Sequence, residues 1–115
     1  MVQEKVFRRD LLTACFSKQT VSRVEIKEVT LPPAGKADYH LHRCPVVGCI
    51  VSGALLFQLK GGDPMIIKTG EAFFEPRDQP VLHFDNASET EPLVFTAFYL
   101  VEENEDLITI LPDIS

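Results

Sequence analysis

The chain has 115 residues, which is enough for one domain with its own hydrophobic core. Its formal net charge is −6 and its Lys and Arg residues form no basic stripe, so nucleic acid is not an expected partner. No apolar run approaches about 18 residues and no signal-peptide pattern opens the chain, so we expect a soluble, cytoplasmic protein that does not bind membranes.

Residues 1–20 form a predicted N-terminal arm, and residues 21–115 form the predicted domain. The arm is too apolar for a free tail, because it carries Val6, Phe7, Leu11, Leu12 and Phe16. The pattern does not decide between a short helix and an extended segment. Either the arm covers its own domain, which leaves a monomer, or it buries this surface in an assembly. Since two-fold dimers are the commonest small assemblies, we predict a homodimer.

The rest of the chain reads as eight or nine short strands separated by Gly and Pro residues, with no helical period. The predicted strands are 21–31, a strand carrying His40 and His42, 46–52, 55–59, 65–67, 72–75, 80–85, 93–101 and 107–111. Such regular spacing is typical of an all-β sandwich or barrel. Composition alone does not separate a jelly roll from other barrels.

The segment YHLHRCPVVGCIVSG contains the strongest functional signal. His40 and His42 are two residues apart, so in an extended strand both imidazoles point to the same side. Two such imidazoles can bind one divalent metal ion. The alternative is that both rings bind only backbone or water. The apolar strand that follows ends at Gly53, which predicts a tight turn.

These residues resemble the first motif of the cupins, in which a glycine, an H-x-H pair, a glutamate and a closing glycine follow one another. Gly35, His40, His42 and Gly53 match, whereas the glutamate position falls on Val46. The second cupin motif is matched by Gly70 and Pro76, but its histidine position falls on Val81. The resemblance covers roughly residues 24–101 and is similar to small single-domain cupins.

The resemblance implies a double-stranded β-helix, the jelly-roll barrel of the cupins, with a site at its mouth. It implies a divalent transition metal (Zn, Ni, Fe, Cu or Mn) and dioxygenase or isomerase chemistry on a small organic molecule. It also adds to the dimer prediction, because small cupins commonly pair through their sheets. The alternative function is a non-catalytic barrel that binds a small ligand and has lost its metal site.

His83 is the candidate third metal ligand beside His40 and His42. It lies two residues beyond Val81, so in a regular strand it shares the inward direction of the family's histidine position. If Leu82 and Phe84 face the core instead, His83 faces outward, and a bulge between residues 80 and 85 decides between the two.

A site of three histidines is neutral, which predicts a bound ion that keeps its full charge and attracts an anionic ligand. Val46 and Val81 predict an apolar pocket, and aromatic residues are candidates for its walls. These aromatic candidates are Phe73, Phe74, Phe95, Phe98 and Tyr99.

The three cysteines are predicted to be reduced thiols, because they are odd in number and form no C-x-x-C pair. Cys49 lies within an apolar run and is interpreted as core. Cys44 follows His42 by two residues, but Pro45 favours a bend there, so we favour a buried structural role for Cys44 over a role as metal ligand.

Overall fold

The structure is a computed structural model, and it describes residues 5–112. That part of the chain consists of strands and loops, and it offers no helix long and apolar enough to cross a membrane. The nine strands are β1 (Arg23–Leu31), β2 (His40–Leu41), β3 (Val46–Ser52), β4 (Ala54–Leu59), β5 (Met65–Lys68), β6 (Ala72–Glu75), β7 (Val81–Asn86), β8 (Leu93–Val101) and β9 (Thr109–Ile110).

The strands form two antiparallel sheets. The four-stranded sheet has the order β1-β8-β3-β6, and the five-stranded sheet has the order β5-β4-β7-β2-β9. Along the chain, successive strands therefore belong mostly to alternate sheets. This arrangement is the double-stranded β-helix that the resemblance implied. The bounds of β3, β6 and β8 coincide with those predicted, because Gly and Pro residues close these apolar segments.

The core lies between the inner faces of the two sheets. Alternation along β4 buries Leu55 and Phe57 there, as its period of two predicts. Phe73, Phe84 and Phe95 join Phe57 in an aromatic cluster, in which the neighbouring ring centroids lie 4.9–6.4 Å apart. Edge-to-face packing dominates this cluster and fixes the position of each ring.

Gly48 in β3 provides the space for one of these rings. A Cβ atom at this position would lie 2.3 Å from the Phe73 ring and 2.4 Å from the carbonyl oxygen of Thr96. Phe73 lies directly opposite Gly48 on β6. The missing side chain therefore allows the Phe73 ring to approach β3 closely, and this ring is almost completely buried.

The predicted N-terminal arm contacts its own barrel. Residues 1–4 lie outside the described part of the chain, and residues 5–20 contain no helix. Arg9 donates a hydrogen bond to the carbonyl oxygen of Gly70 (3.3 Å), and the rings of Phe16 and Phe74 lie 6.1 Å apart. Val6 and Phe7 remain 73% and 88% exposed, so this part of the arm is mostly not covered by the described residues.

Candidate metal centre

His40 and His42 point into the barrel from the same side of the chain, as their spacing predicted. His40 belongs to β2, where it lies opposite Val81 of β7 and Ile110 of β9, and His42 follows β2 directly. The two rings are buried, and their centroids lie 4.9 Å apart in an edge-to-face arrangement.

Glu75 completes a cluster with the two histidines, although the sequence analysis did not predict it. It is the last residue of β6, and its side chain is 4% exposed. Its Oε1 lies 3.3 Å from Nε2 of His40, and its Oε2 lies 3.0 Å from Nε2 of His42. Among residues 5–112, these three form a group of potential ligand atoms that all lie within 4.8 Å of one another.

The other ring nitrogen of each histidine is held by the backbone. Nδ1 of His40 donates to the carbonyl oxygen of Asp38 (2.6 Å), and Nδ1 of His42 donates to that of Leu107. A carbonyl oxygen only accepts hydrogen bonds, so both Nδ1 atoms carry a proton. In the neutral histidines, each Nε2 then turns an unshared electron pair toward the Glu75 carboxylate. Such an arrangement is repulsive unless a cation, either a proton or a metal ion, lies among the three groups.

The shifted pKa values of His42 and Glu75 indicate that a proton is stabilised between these two groups. Burial opposes charge on His42, but the hydrogen bond to Glu75, the charge of Glu75 and the Leu107 carbonyl outweigh it and raise the pKa of His42. Burial likewise opposes charge on Glu75, and the hydrogen bonds and charges of His40 and His42 outweigh it and lower its pKa. The cluster thus favours an ionised carboxylate beside a positive charge.

The donor set and its spacing fit a transition metal. With metal–ligand bonds of about 2.0–2.2 Å, neighbouring ligand atoms lie roughly 3 Å apart. The separations from Glu75 to the two Nε2 atoms are 3.3 Å and 3.0 Å. Two imidazoles and one carboxylate suit zinc or non-haem iron and leave further coordination positions open. The backbone contacts at both Nδ1 atoms hold the rings in the orientation that such a site requires.

A cavity of about 150 Å³ lies beside this cluster. Apolar side chains form most of its walls, and they come from β1, β7, β8 and the loops that flank β2 and β9: Val29, Leu31, Ala37, Phe84, Phe95, Ala97 and Ile108. Tyr99 adds a phenol, and its ring packs edge-on against that of His42 with centroids 5.7 Å apart. Burial and the nearby Glu75 charge raise the pKa of Tyr99 to about 12, so the phenol stays protonated.

The pocket is apolar as predicted, but its walls differ from those predicted. Of the aromatic candidates, Phe95 and Tyr99 line the cavity, while Phe73 belongs to the core below it. Val46 and Val81, which were expected to make the pocket apolar, are also core residues. The expectation of a neutral three-histidine site does not describe this cluster either, because Glu75 contributes a negative charge.

The structure does not bring His83 together with His40 and His42. The pairing of β4 with β7 shifts between Gln58 and Leu59, which lie opposite His83 and Val81, so Leu82 is the extra residue of a β-bulge. After this bulge Phe84 faces the core, and the His83 side chain is 46% exposed. Its Nδ1 lies 2.9 Å from Oδ2 of Asp85 on the outer side of the sheet.

Cys44 lies in the hydrophobic core, which agrees with the structural role that was favoured for it. It is completely buried, and burial together with the charge of Glu105 raises the pKa of its thiol to about 11. All three cysteines are free, as predicted. A thiol with this pKa is protonated near neutral pH and makes a poor metal ligand.

One signal in the sequence points to Glu75. In the segment Ala72–Glu75, residues 73 and 75 share one face of the strand, and Phe73 is the residue that a core needs. A glutamate on the same face as a core phenylalanine is buried only if it has partners. Alternation therefore marks Glu75 as an inward carboxylate, although it does not name the histidines as its partners.

The comparisons with known proteins agree with the fold. The family model for the cupin domain matches residues 27–99, which is more than half of the chain. The chain therefore belongs to the cupin family. A search of curated proteins found no match.

Solved structures with a similar fold include two enzymes and one cupin-like protein. An oxalate oxidase in complex with the substrate analogue glycolate is 22% identical, with a TM-score of 0.65 over 76% of this chain and 46% of its own. The DMSP lyase DddQ from Ruegeria pomeroyi DSS-3 is 18% identical, with a TM-score of 0.65 over 76% and 42%.

The third structure, a cupin-like protein from Thermotoga maritima MSB8, is 20% identical, with a TM-score of 0.66 over 80% of this chain and 67% of its own. The present chain thus spans less than half of the two enzymes' lengths. At these identities the likeness concerns the fold.

Proposed function

We propose that this protein is a metal-dependent cupin that binds a divalent transition metal through His40, His42 and Glu75 and acts on a small organic molecule. The observation that carries the proposal is the convergence of two Nε2 atoms on one buried carboxylate, in rings whose Nδ1 atoms are held by backbone carbonyl oxygens. Zinc, iron, manganese, nickel and copper are the candidate ions, because imidazole and carboxylate ligands suit them.

When bound by His40, His42 and Glu75, the ion would supply a Lewis acid that polarises a substrate oxygen. The protein's own residues do the remaining work. Asp38 and Leu107 fix the two histidine rings through their carbonyl oxygens, and the walls of the cavity are mostly apolar. Tyr99 offers a protonated phenol at the edge of the cavity, where it can donate a hydrogen bond to a bound molecule.

Within this family, dioxygenase or isomerase chemistry is the reaction class that we propose. The oxalate oxidase among the similar structures holds glycolate, a small oxygen-rich molecule, and the second similar enzyme is a lyase. The competing candidate, a barrel that binds a ligand without a metal, lacks a role for the three buried ionisable groups. Burying such groups without a partner cation is costly, and in the metal-free barrel that cation would be a proton shared within the cluster.

The test is a titration of metal-free protein with Zn²⁺ and Fe²⁺ by calorimetry, together with elemental analysis of the purified protein. We expect one ion per chain, and loss of this binding in His42→Ala and Glu75→Ala. His83→Ala is the matched control, because it removes an imidazole that lies outside the cluster. Absence of metal from the wild-type protein in both experiments would refute the proposal, and the non-catalytic alternative would then stand.

We also propose a homodimer that forms through the outer face of the four-stranded sheet. Ile26, Phe98, Val47 and Phe74 lie side by side across that face, one on each strand. The arm contacts the β6 end of this row through Phe16, whereas Ile26 at the β1 end is 62% exposed. An apolar row of side chains that is partly exposed to solvent is typical of an interface with another protein.

A further inference from the structure

The cavity beside the metal centre restricts the size of a ligand. Its volume is about 150 Å³, and a cavity of about this volume holds one benzene molecule. Val29 of β1 and Phe95 of β8 form parts of its apolar wall, and Phe84 lies next to the His40 ring, with centroids 6.5 Å apart. A ligand therefore places an apolar body no larger than about one aromatic ring against these walls.

The charges around the cavity restrict the charge of that ligand. The groups that can ionise in its lining are His40, His42, Glu75 and Tyr99, and no Lys or Arg of the described residues lines it. A divalent ion beside one carboxylate leaves a net charge of about +1 next to walls that are otherwise apolar. An uncompensated buried charge is costly, so a ligand with a single negative charge is favoured over a neutral one.

Tyr99 provides a hydrogen-bond donor for such a ligand. Tyr99 lies opposite Val46, and Val46 lies opposite Glu75, so the three side chains stand in one row on the inner face of the sheet. Within residues 5–112 Tyr99 contributes the only hydroxyl group to the cavity lining. No side-chain hydrogen bond of the described residues uses it, and because no buried polar side-chain atom there lacks a partner, this hydroxyl reaches solvent. The phenol is therefore available to a ligand beside the metal centre.

We propose that the ligand of this site is a small organic monoanion, either a carboxylate or an enolate. Its charged oxygen would lie at the metal, its apolar body would lie against Val29 and Phe95, and it would accept a hydrogen bond from Tyr99. This inference rests on the proposed function, because the charge balance includes a divalent ion. It adds the charge, the size and the positioning group of the ligand.

The test uses Co²⁺-loaded protein, because the visible absorption of Co²⁺ reports ligands that enter its coordination sphere. Benzoate, benzamide and 2-naphthoate are titrated separately. We expect benzoate to bind about tenfold or more tightly than benzamide, which has the same size but no charge, and than 2-naphthoate, which has the charge but a second ring.

Three variants test the roles of Tyr99 and Val29 in binding the ligand. Tyr99→Phe should weaken benzoate about tenfold and leave Co²⁺ affinity unchanged, because only the hydroxyl is removed. Val29→Ala should enlarge the cavity and raise 2-naphthoate affinity about threefold or more. Val24→Ala is the matched control, since it makes the same change on the outer face of β1, where Val24 is 49% exposed.

The outcomes separate the two proposals. If Co²⁺ does not bind, both the proposed function and this inference fail. If Co²⁺ binds but benzamide or 2-naphthoate binds as tightly as benzoate, the metal site stands and the inference about the ligand is overturned. If Tyr99→Phe leaves benzoate affinity unchanged, Tyr99 does not position the ligand, and the proposal as stated is likewise overturned.

Discussion

Val46 and Glu75 lie directly opposite each other on β3 and β6, and both side chains are buried on the inner face of the same sheet. The cupin motif places its glutamate at the position of Val46, which holds no ligand atom. Opposite residues of neighbouring strands have Cβ atoms about 5 Å apart, so a carboxylate at either position can reach the same place. Glu75 thus supplies from β6 the group that Val46 lacks.

This relationship predicts that the carboxylate can be moved between the strands. Glu75→Val should lower Zn²⁺ affinity by about 100-fold or more, since it removes a ligand and its charge. The double variant Val46→Glu/Glu75→Val should recover affinity to within about tenfold of the wild type. Calorimetric titration of the three proteins checks this. Equal affinities of the single and double variants would show that the two positions are not equivalent.

Most of the fold could be predicted from the sequence, but only part of the candidate metal centre could. Strands such as β8 were predictable because their limits are set locally, by an apolar run between Pro92 and the acidic segment that begins at Glu102. The direction of His40 and His42 also follows from local alternation. The partner of these histidines is Glu75, and its approach depends on the register of β3 against β6, which the sequence of neither strand states.

The direction in which the His83 side chain points depends on a one-residue shift in the pairing of β4 with β7. Alternation from Val81 predicts an inward side chain at residue 83, but the bulge at Leu82 reverses the alternation and brings Phe84 to the core. Burying a phenylalanine is worth about 1.5–3 kcal/mol, whereas burying a histidine without a partner is costly. The packing of Phe84 against Phe57 and Phe95 therefore decides the orientation, and this contact is visible only in the folded chain.

Metal affinity should depend on pH through His42. The pKa of His42 is raised above the ordinary value of 6.5, because the hydrogen bond and charge of Glu75 outweigh burial. The metal must displace this more tightly held proton. Below the pKa of His42, Zn²⁺ affinity should fall about tenfold for each pH unit. Titrations from pH 8 to pH 5.5 in buffers of different ionisation enthalpy measure the affinity and the proton release. Constant affinity over this range would contradict the prediction.

The stability of the metal-free protein should show a maximum in mildly acidic solution. The raised pKa of His42 stabilises the fold below its unfolded value of 6.5, and this contribution is lost as pH rises through the folded value. The lowered pKa of Glu75 stabilises the fold above its unfolded value of 4.5, and this contribution is lost as pH falls through the folded value. Urea unfolding should therefore give the highest free energy of unfolding between these two unfolded values.

A variant that removes the charge pair checks the origin of this maximum. Glu75→Gln should flatten the dependence on pH, because neither His42 nor residue 75 then gains from the other's charge. Glu28→Gln is the control, since Glu28 is exposed on β1 and its replacement should leave the curve unchanged. A maximum that persists in Glu75→Gln would assign the effect to other groups.

The packing of Phe73 against Gly48 predicts a large effect of a single methyl group. Gly48→Ala places a Cβ atom 2.3 Å from the Phe73 ring and 2.4 Å from a backbone oxygen, so the core must shift. We expect a loss of about 3 kcal/mol in the free energy of unfolding. Gly62→Ala is the control, because the nearest atom to its new Cβ lies 3.5 Å away, and its effect should stay within about 0.5 kcal/mol. Thermal and urea unfolding measure both, and equal stabilities would contradict the packing argument.

The last prediction concerns assembly through the outer face of the four-stranded sheet. Ile26→Glu should shift the protein toward the monomer, because it places a charge in the apolar row that we propose as the interface. Deletion of residues 1–19 should also weaken the dimer, since Leu11 and Leu12 line a pocket with Val47 and Phe98 and add apolar area to this face. Ile110→Glu is the matched control: Ile110 is 56% exposed, close to the 62% of Ile26, but it belongs to the other sheet. Light scattering at micromolar concentration gives the mass of each protein. A wild-type mass of 12.9 kDa would show a monomer whose arm serves only its own barrel, and it would refute the proposed dimer.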